Sequence, residues 1–310
     1  MRNQTAAAGQ LGLLLVHLVA ATGCGSKPPP SQFPDAERLL QRMHETYACS
    51  RGVSGEAKID YYESGARVRV DALYVAVLPS KVRFDAFSPF GLMLSTMTSD
   101  GQTFSLFDLR EKVFWRGPAS ACNLALFAGV NVPPHVLVQL LRGEAPVLVH
   151  EPSAATLAWD SGFLGGGEYL VEIASRHDAV ESIRAVPPAE DWHLPWEEQR
   201  VLVNSVEVVQ QGYSLYRASL DEHRPARTAA PATDPDGLGP DVPPSGPTCN
   251  APVPRRLRLE VAEGQKDMVL NNRKVVHNPP LFAGRFSQPV PAGVILREAR
   301  CSERATAGPR

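Results

Sequence analysis

The sequence predicts a mainly β protein, an antiparallel meander or barrel carrying a few helices. Apolar residues alternate with polar ones over many short segments, and turn residues separate those segments. Strands spaced about 8–12 residues apart with such turns make antiparallel sheets. Only residues 34–48 and 133–142 switch clearly to helical spacing. Hydrophobic residues make up 44% of the 310 and charged residues 21%, enough apolar material for a real core.

The chain opens on Arg2 and an apolar run, Leu11–Thr22, that ends in Ala21-Thr22-Gly23-Cys24. A charged start, a short apolar stretch and small residues at the cut predict a signal peptide over residues 1–23. A bilayer-spanning helix needs about 20 apolar residues, more than this run supplies. Residues 24–33, with Pro28-Pro29-Pro30, read as a flexible tether, because proline and small polar residues favour neither helix nor core.

A helix is expected over 34–48, with proline and acid in its first turn and Leu39, Leu40, Met43 and Tyr47 on one face. Period-two alternation then predicts strands from Val53 to Tyr61, Arg67 to Val77, Lys81 to Phe87 and Leu92 to Thr98. Thr103–Asp108 and Lys112–Arg116 form a further hairpin. Asn123–Ala128 reads as a short turn. Pro133–Gly143 reads as a helix with proline at its start and glycine past its end. Strands resume at Thr156–Trp159, Glu168–Ser175, Ser182–Val186, Arg200–Gln210 and Ser214–Leu220.

Residues 225–254 contain nine prolines and little to bury, so a disordered insertion within the domain is expected. Arg256–Val261, Asp267–Leu270 and Val290–Arg297 close the fold. The domain is thus placed at 34–300, with 301–310 a flexible tail.

Chemistry-bearing motifs are missing from this pattern. The eight histidines lie at no ligand spacing, and no nucleophile elbow, zinc-protease or phosphate-loop motif occurs. His177-Asp178 and Asp191-Trp192-His193 are close acid–histidine pairs, but neighbours on a strand face opposite ways and these read as turns. Gly165-Gly166-Gly167 reads as a hairpin turn, and Trp192–Trp196 as a loop packed on the sheet, with a ligand grip or a membrane-surface contact as the alternative. No catalytic residue, metal site or cofactor is predicted. Basic residues (31) and acidic ones (33) nearly balance, which gives no field for nucleic acid. Four cysteines follow Cys24 and permit two disulfides. Cys249 with Cys301 is the preferred pair, clamping the last strands to the proline-rich segment, with Cys49–Cys122 as the second. Free buried thiols are the alternative.

The segment ending in Cys24 resembles the lipobox of bacterial lipoproteins, with Ala21 where leucine is usual. The resemblance implies acylation of Cys24; a plain secretory peptide cut near Ala21–Gly23 is the other reading. The Gly25 that follows implies delivery to the outer membrane, anchored by lipid and facing the periplasm. Two further stretches, Phe87-Ser88-Pro89-Phe90-Gly91-Leu92-Met93-Leu94 and Gly129 to Pro146, resemble the LolA/LolB family of lipoprotein carriers and receptors. Phe286 to Val294 resembles the closing strand of LolA. The family fold is a curved antiparallel half-barrel covered by a few helices, with an apolar concave face that takes acyl chains.

By that resemblance Pro89, Phe90, Gly91, Leu92 and Met93 form a membrane-contact hairpin. Phe90 packed under a loop is the alternative. Helices 34–48 and 133–142 form a lid, the latter through Leu137, Leu140 and Leu141. The barrel arginine of LolA has no assigned equivalent among Arg67, Arg69 and Arg83. The expected partners are a membrane, through acylated Cys24, and a lipid acyl chain or lipoprotein. A second reading is a scaffolding lipoprotein with a filled barrel and an envelope protein partner.

Overall fold

The computed structural model describes residues 26–63, 66–128, 131–162, 166–233, 237, 239–260 and 266–300. The signal peptide, Cys24 and the 301–310 tail lie outside the described residues.

Helix α1 (Ala36–Tyr47) begins where Asp35 caps it, its carboxylate accepting the Arg38 amide at 2.8 Å. Its buried face is Leu39, Leu40, Met43 and Tyr47, as the spacing requires. The described part of the expected tether is docked rather than free. The Ser26 amide donates to the Ser161 carbonyl at 3.0 Å, and Trp159 Nε1 donates to the Ser26 carbonyl at 2.9 Å. Ser31 Oγ accepts the Trp196 amide at 2.9 Å, and Phe33 is buried against Tyr169 and Trp196. Proline-rich chain is ordered here because aromatic side chains of the body supply both apolar contact and donors.

The first half of the sheet is β1 (Gly52–Glu63), β2 (Ala66–Val77), β3 (Lys81–Phe87), β4 (Met93–Ser99), β5 (Thr103–Asp108) and β6 (Val113–Pro118). Helices α2 (Ala121–Ala128) and α3 (Pro134–Arg142) intervene. Then come β7 (Ala155–Asp160), β8 (Glu168–Ala174), β9 (Ala179–Val186), β10 (Leu202–Gln210) and β11 (Tyr213–Asp221). Three short pieces follow, β12 (Arg224–Pro225), β13 (Arg227–Thr228) and β14 (Pro252–Val253). The set ends with β15 (Arg256–Glu260), β16 (Lys266–His277) and β17 (Ile295–Glu298).

The long sheet runs β17-β6-β5-β4-β3-β2-β1-β16-β15-β11-β10-β9-β8-β7, so β16, the last strand but one in sequence, pairs with the first. That return joins the two meanders into one curved, mainly antiparallel sheet, and among the described residues its end strands β17 and β7 do not pair with each other. The fold is a half-barrel with helices on its concave side. The core is continuous across both meanders: Val53, Phe84 and Phe104 from one and Val171, Ile183 and Leu257 from the other share it with α1 and α3.

Two expectations fail in the last third. β16 is twelve residues long, not the four of Asp267–Leu270, because it pairs along the whole of β1 with one bulge at Glu56/Ala57. Its polar stretch Asn271-Asn272-Arg273-Lys274 hides the alternation. The described residues of the 225–254 segment are paired with the body. β13 pairs parallel to β16, β12 pairs with β14, bridges join Ala232 to Val242 and Pro244 to Pro280, and Ala251 and Val253 are buried. A disulfide also offsets its ordering entropy, and it differs from both predicted pairings: Cys249 is bonded to Cys49, with Cα atoms 5.2 Å apart. The segment folds back across the end of α1, which brings Cys249 against Cys49 and Tyr47. Cys122 is disulfide-bonded as well, so the free-thiol alternative fails for these three.

Candidate functional site

The turn after β3 is built by its own side chains. Ser88 Oγ accepts the amides of Phe90 and Leu92 at 3.3 and 3.1 Å, and the Gly91 amide donates to the Ser88 carbonyl at 2.9 Å. Gly91 sits at φ +80°, a conformation that costs glycine least. With Pro89 fixing the preceding backbone, the turn holds Phe90 outward at 91% exposure, beside Leu92 at 69% and Met93 at 41%. The alternative of a Phe90 packed under a loop is excluded. Phe90, Leu92 and Met93 together form an exposed apolar patch, a candidate contact surface.

Next to the hairpin the concave face is not filled. A cavity of about 190 Å³ lies between the strands and α2, lined by Ile59, Val70, Leu94, Leu106 and Phe127 among others. Most of its lining is apolar; Tyr61, Ser95 and Asp108 bring the polar atoms. Asp108 is occupied in capping its turn, accepting the Arg110 and Glu111 amides at 2.9 and 3.0 Å. Such a cleft can bury methylenes at about 0.8 kcal/mol each, and it offers no nucleophile with a base.

The helix that lines this cleft is α2, through Leu126 and Phe127. Leu137, Leu140 and Leu141 of α3 are 3%, 0% and 0% exposed and belong to the core. α3 is fixed at its end by Gly143, at φ +96°, whose amide donates to the Leu140 carbonyl while the Glu144 amide donates to that of Gln139. Arg142, almost fully buried, donates to Glu144 at 2.6 Å and to the Tyr47 carbonyl at 2.8 Å, tying α3 to α1. Burial lowers the Arg142 pKa and raises that of the Tyr47 hydroxyl. A lid made of these two helices would have to break that buried pair. In contrast α2 presents a half-exposed Leu126 and touches the sheet mainly at β5. Its sequence, apolar but for Asn123 and free of charge, gives no period, which is why it reads as a turn.

The three arginines considered for a barrel interior lie on the other face. Arg67 and Arg69 are paired with Asp60, and Arg83 with Asp85. The acid–histidine pairs do not form sites either. His177 and Asp178 make a turn with positive φ at both, and Asp191 is taken up by Arg200 at 2.8 Å. Among the described residues no group of acidic, histidine and cysteine side chains is placed to hold a metal ion, and no helix is long and apolar enough to cross a membrane.

Sequence reasoning also missed a buried carboxyl. Glu181 on β9 is fully buried and accepts the Leu148 amide at 2.8 Å, with its other oxygen unpartnered. Burial pushes its pKa up to about 7. The segment it holds, 144–151, is fastened again by His150, which contacts Glu37 at 2.8 Å and the Leu148 carbonyl at 2.7 Å. That carbonyl, more than Glu37, raises the imidazole pKa.

No family model and no curated protein matches the sequence. Solved structures do resemble the fold. A DUF1329 family protein from Desulfovibrio piger superposes with a TM-score of 0.52 at 9% identity, over 81% of this chain and 95% of that one. This likeness establishes the fold alone. A domain assigned to outer membrane lipoprotein sorting in Vibrio parahaemolyticus gives 0.48 at 11% identity, over 81% and 96% of the chains. A LolA superfamily protein from Nitrosomonas europaea gives 0.46 at 9%, over 82% and 98%. The last two are too distant to carry an argument about this chain.

Proposed function

We propose that this protein is a lipid-anchored envelope lipoprotein that shelters an acyl chain, free or on a lipoprotein, in the cleft under α2. The observation that carries the reading is the apolar cleft lying directly beside a turn that holds Phe90 in water. The turn enters a bilayer or meets an incoming acyl group, and the chain passes between Leu94 and Leu126 onto the concave face. No catalytic step is needed: transfer out of water into the cleft provides the driving force. Anchoring falls to acylated Cys24 at the outer membrane with the body in the periplasm, and assistance in lipoprotein insertion there is the LolB-like role. Two acyl chains on one cysteine would anchor it stably.

The scaffolding reading keeps one observation in its favour: α1 and α3 already fill most of the concave face. Titration of the Cys24→Ser protein with a fluorescent fatty acid separates the two. Saturable binding supports the shelter, and its absence at micromolar concentrations favours the scaffold. Vesicle association lost in Phe90→Glu while fatty-acid binding persists would support the hairpin's part.

A further inference from the structure

The chain between β16 and β17 crosses the convex face of β3–β5, on the far side of the sheet from the α2 cleft. Alternation along β3 sends Val82, Phe84 and Ala86 into the core and Arg83 and Asp85 outward. Gln288 fastens the crossing segment, its Nε2 donating to the Thr96 carbonyl and to Thr98 Oγ1, both at 3.1 Å. Between this segment and the β2–β3 turn lies a cavity of about 370 Å³. Leu78, Leu281, Phe282 and Phe286 give it apolar walls, and Lys81 and Arg285 bring two cations to it.

The carboxylates nearby are already engaged. Asp85 accepts Arg83 Nε at 2.8 Å, Arg83 Nη2 at 2.9 Å and Thr96 Oγ1 at 2.9 Å. Asp100, which also lines the cavity and faces the charge of Lys81, accepts the amides of Gln102 and Thr103 at 2.8 and 2.7 Å. Arg285 is left over. Its guanidinium has no hydrogen bond or ion pair among the described residues, and Nε is closed off from water with no acceptor. Burial, and then the like charge of Arg83, hold its pKa below the usual arginine value. A shielded donor without an acceptor is destabilising, and a planar guanidinium fork fits a carboxylate or phosphate in two bonds. A charge kept at that cost beside a second cation, in a cavity with aromatic walls, is arranged for an anion.

We propose that this cavity binds an amphiphilic anion, a carboxylate or phosphate monoester on a compact apolar body. Its oxygens take the Arg285 guanidinium and the Lys81 ammonium, and its body lies against Phe282 and Phe286. Occupancy would pin the crossing segment to the β2–β3 turn without touching the α2 cleft.

Calorimetric titration of the purified protein with phenyl phosphate tests this. Saturable binding is expected, at least tenfold tighter than for inorganic phosphate, since only the former uses the apolar walls. Arg285→Gln should weaken it at least tenfold, and Arg285→Lys less, while both leave fatty-acid binding in the α2 cleft unchanged. Sedimentation with phosphatidylcholine vesicles, with and without phosphatidic acid, identifies the source. Loss of the phosphatidic-acid increment in Arg285→Gln points to a lipid headgroup, and no increment in wild type points to a soluble ligand. The proposal is overturned if phenyl phosphate does not bind, if Arg285→Gln binds it as well as wild type, or if phenol binds equally. Circular dichroism and melting of each variant show that a loss is not unfolding.

Discussion

Glu181→Gln should stabilise the protein at neutral pH and above, and leave it nearly unchanged in acid. Glu181 is buried, and burial raises its pKa from an ordinary 4.5 to about 7 in the folded protein. Between those values the folded state binds more protons than the unfolded chain, so its contribution to stability falls as pH rises through the window. One pKa unit corresponds to about 1.4 kcal/mol, so the difference between pH 4 and pH 8 approaches about 3 kcal/mol. Glutamine keeps an oxygen to accept the Leu148 amide and carries no charge. Urea unfolding of wild type and variant, at half-unit steps from pH 5 to 8, measures the difference directly. Comparing the two proteins at each pH removes the titration of other groups to first order. They include His223, which burial holds down at about 4 and which favours the fold as pH rises from there towards 6.5. The variant's advantage should be small at pH 5 and grow steadily to pH 8. A difference that does not change with pH, or a variant less stable at pH 8, would mean that burial does not hold a proton on Glu181.

Leu140→Ala removes a fully buried side chain of α3 and should cost about 2–5 kcal/mol in the same assay; a neutral result would return α3 to the role of a mobile lid. Converting Cys49 and Cys249 together to alanine opens a crosslink spanning 200 residues and should lower stability by up to about 5 kcal/mol. An unchanged urea midpoint would mean that the proline-rich segment is held without it. Phe90→Glu should leave the melting temperature within a degree or two, because the side chain is 91% exposed, while vesicle association is lost. A large drop in melting temperature would place Phe90 in the core.

Much of the fold is readable from the residues. Alternation locates β1 to β11 to within a few residues, and proline and glycine bracket α3 where the structure has it. What alternation cannot carry is pairing over long separations. β16 joins β1 across more than two hundred residues, and its polar middle disguises its length. The same holds for Cys49 and Cys249, whose proximity depends on how the proline-rich segment returns over α1. Composition also misleads where order comes from partners. The 26–33 stretch and the 225–254 segment bury little of their own, but the body offers Trp159, Trp196 and the edge of β16 to hold them.

The site is readable in part. Pro89, Gly91 and the apolar residues around them indicate a turn, and Ser88, unremarked in that reading, is what fixes it. The cleft could not be read, because it depends on which helix covers the concave face, and α2 has no polar side to reveal it. Arg285 and Glu181 likewise owe their interest to burial and lost partners, which only the packed chain defines.

Uptake of an acyl chain by the cleft under α2 is open to direct measurement. The most direct test is titration of the Cys24→Ser protein and its Leu126→Asp variant with a fluorescent fatty acid. Leu126 lines the cleft and is half exposed, so an aspartate there puts a charge in the entry at little cost to folding. Saturable one-to-one binding is expected of the first and at least tenfold weaker binding of the second. Equal binding by both, or none by either, would contradict uptake by the cleft.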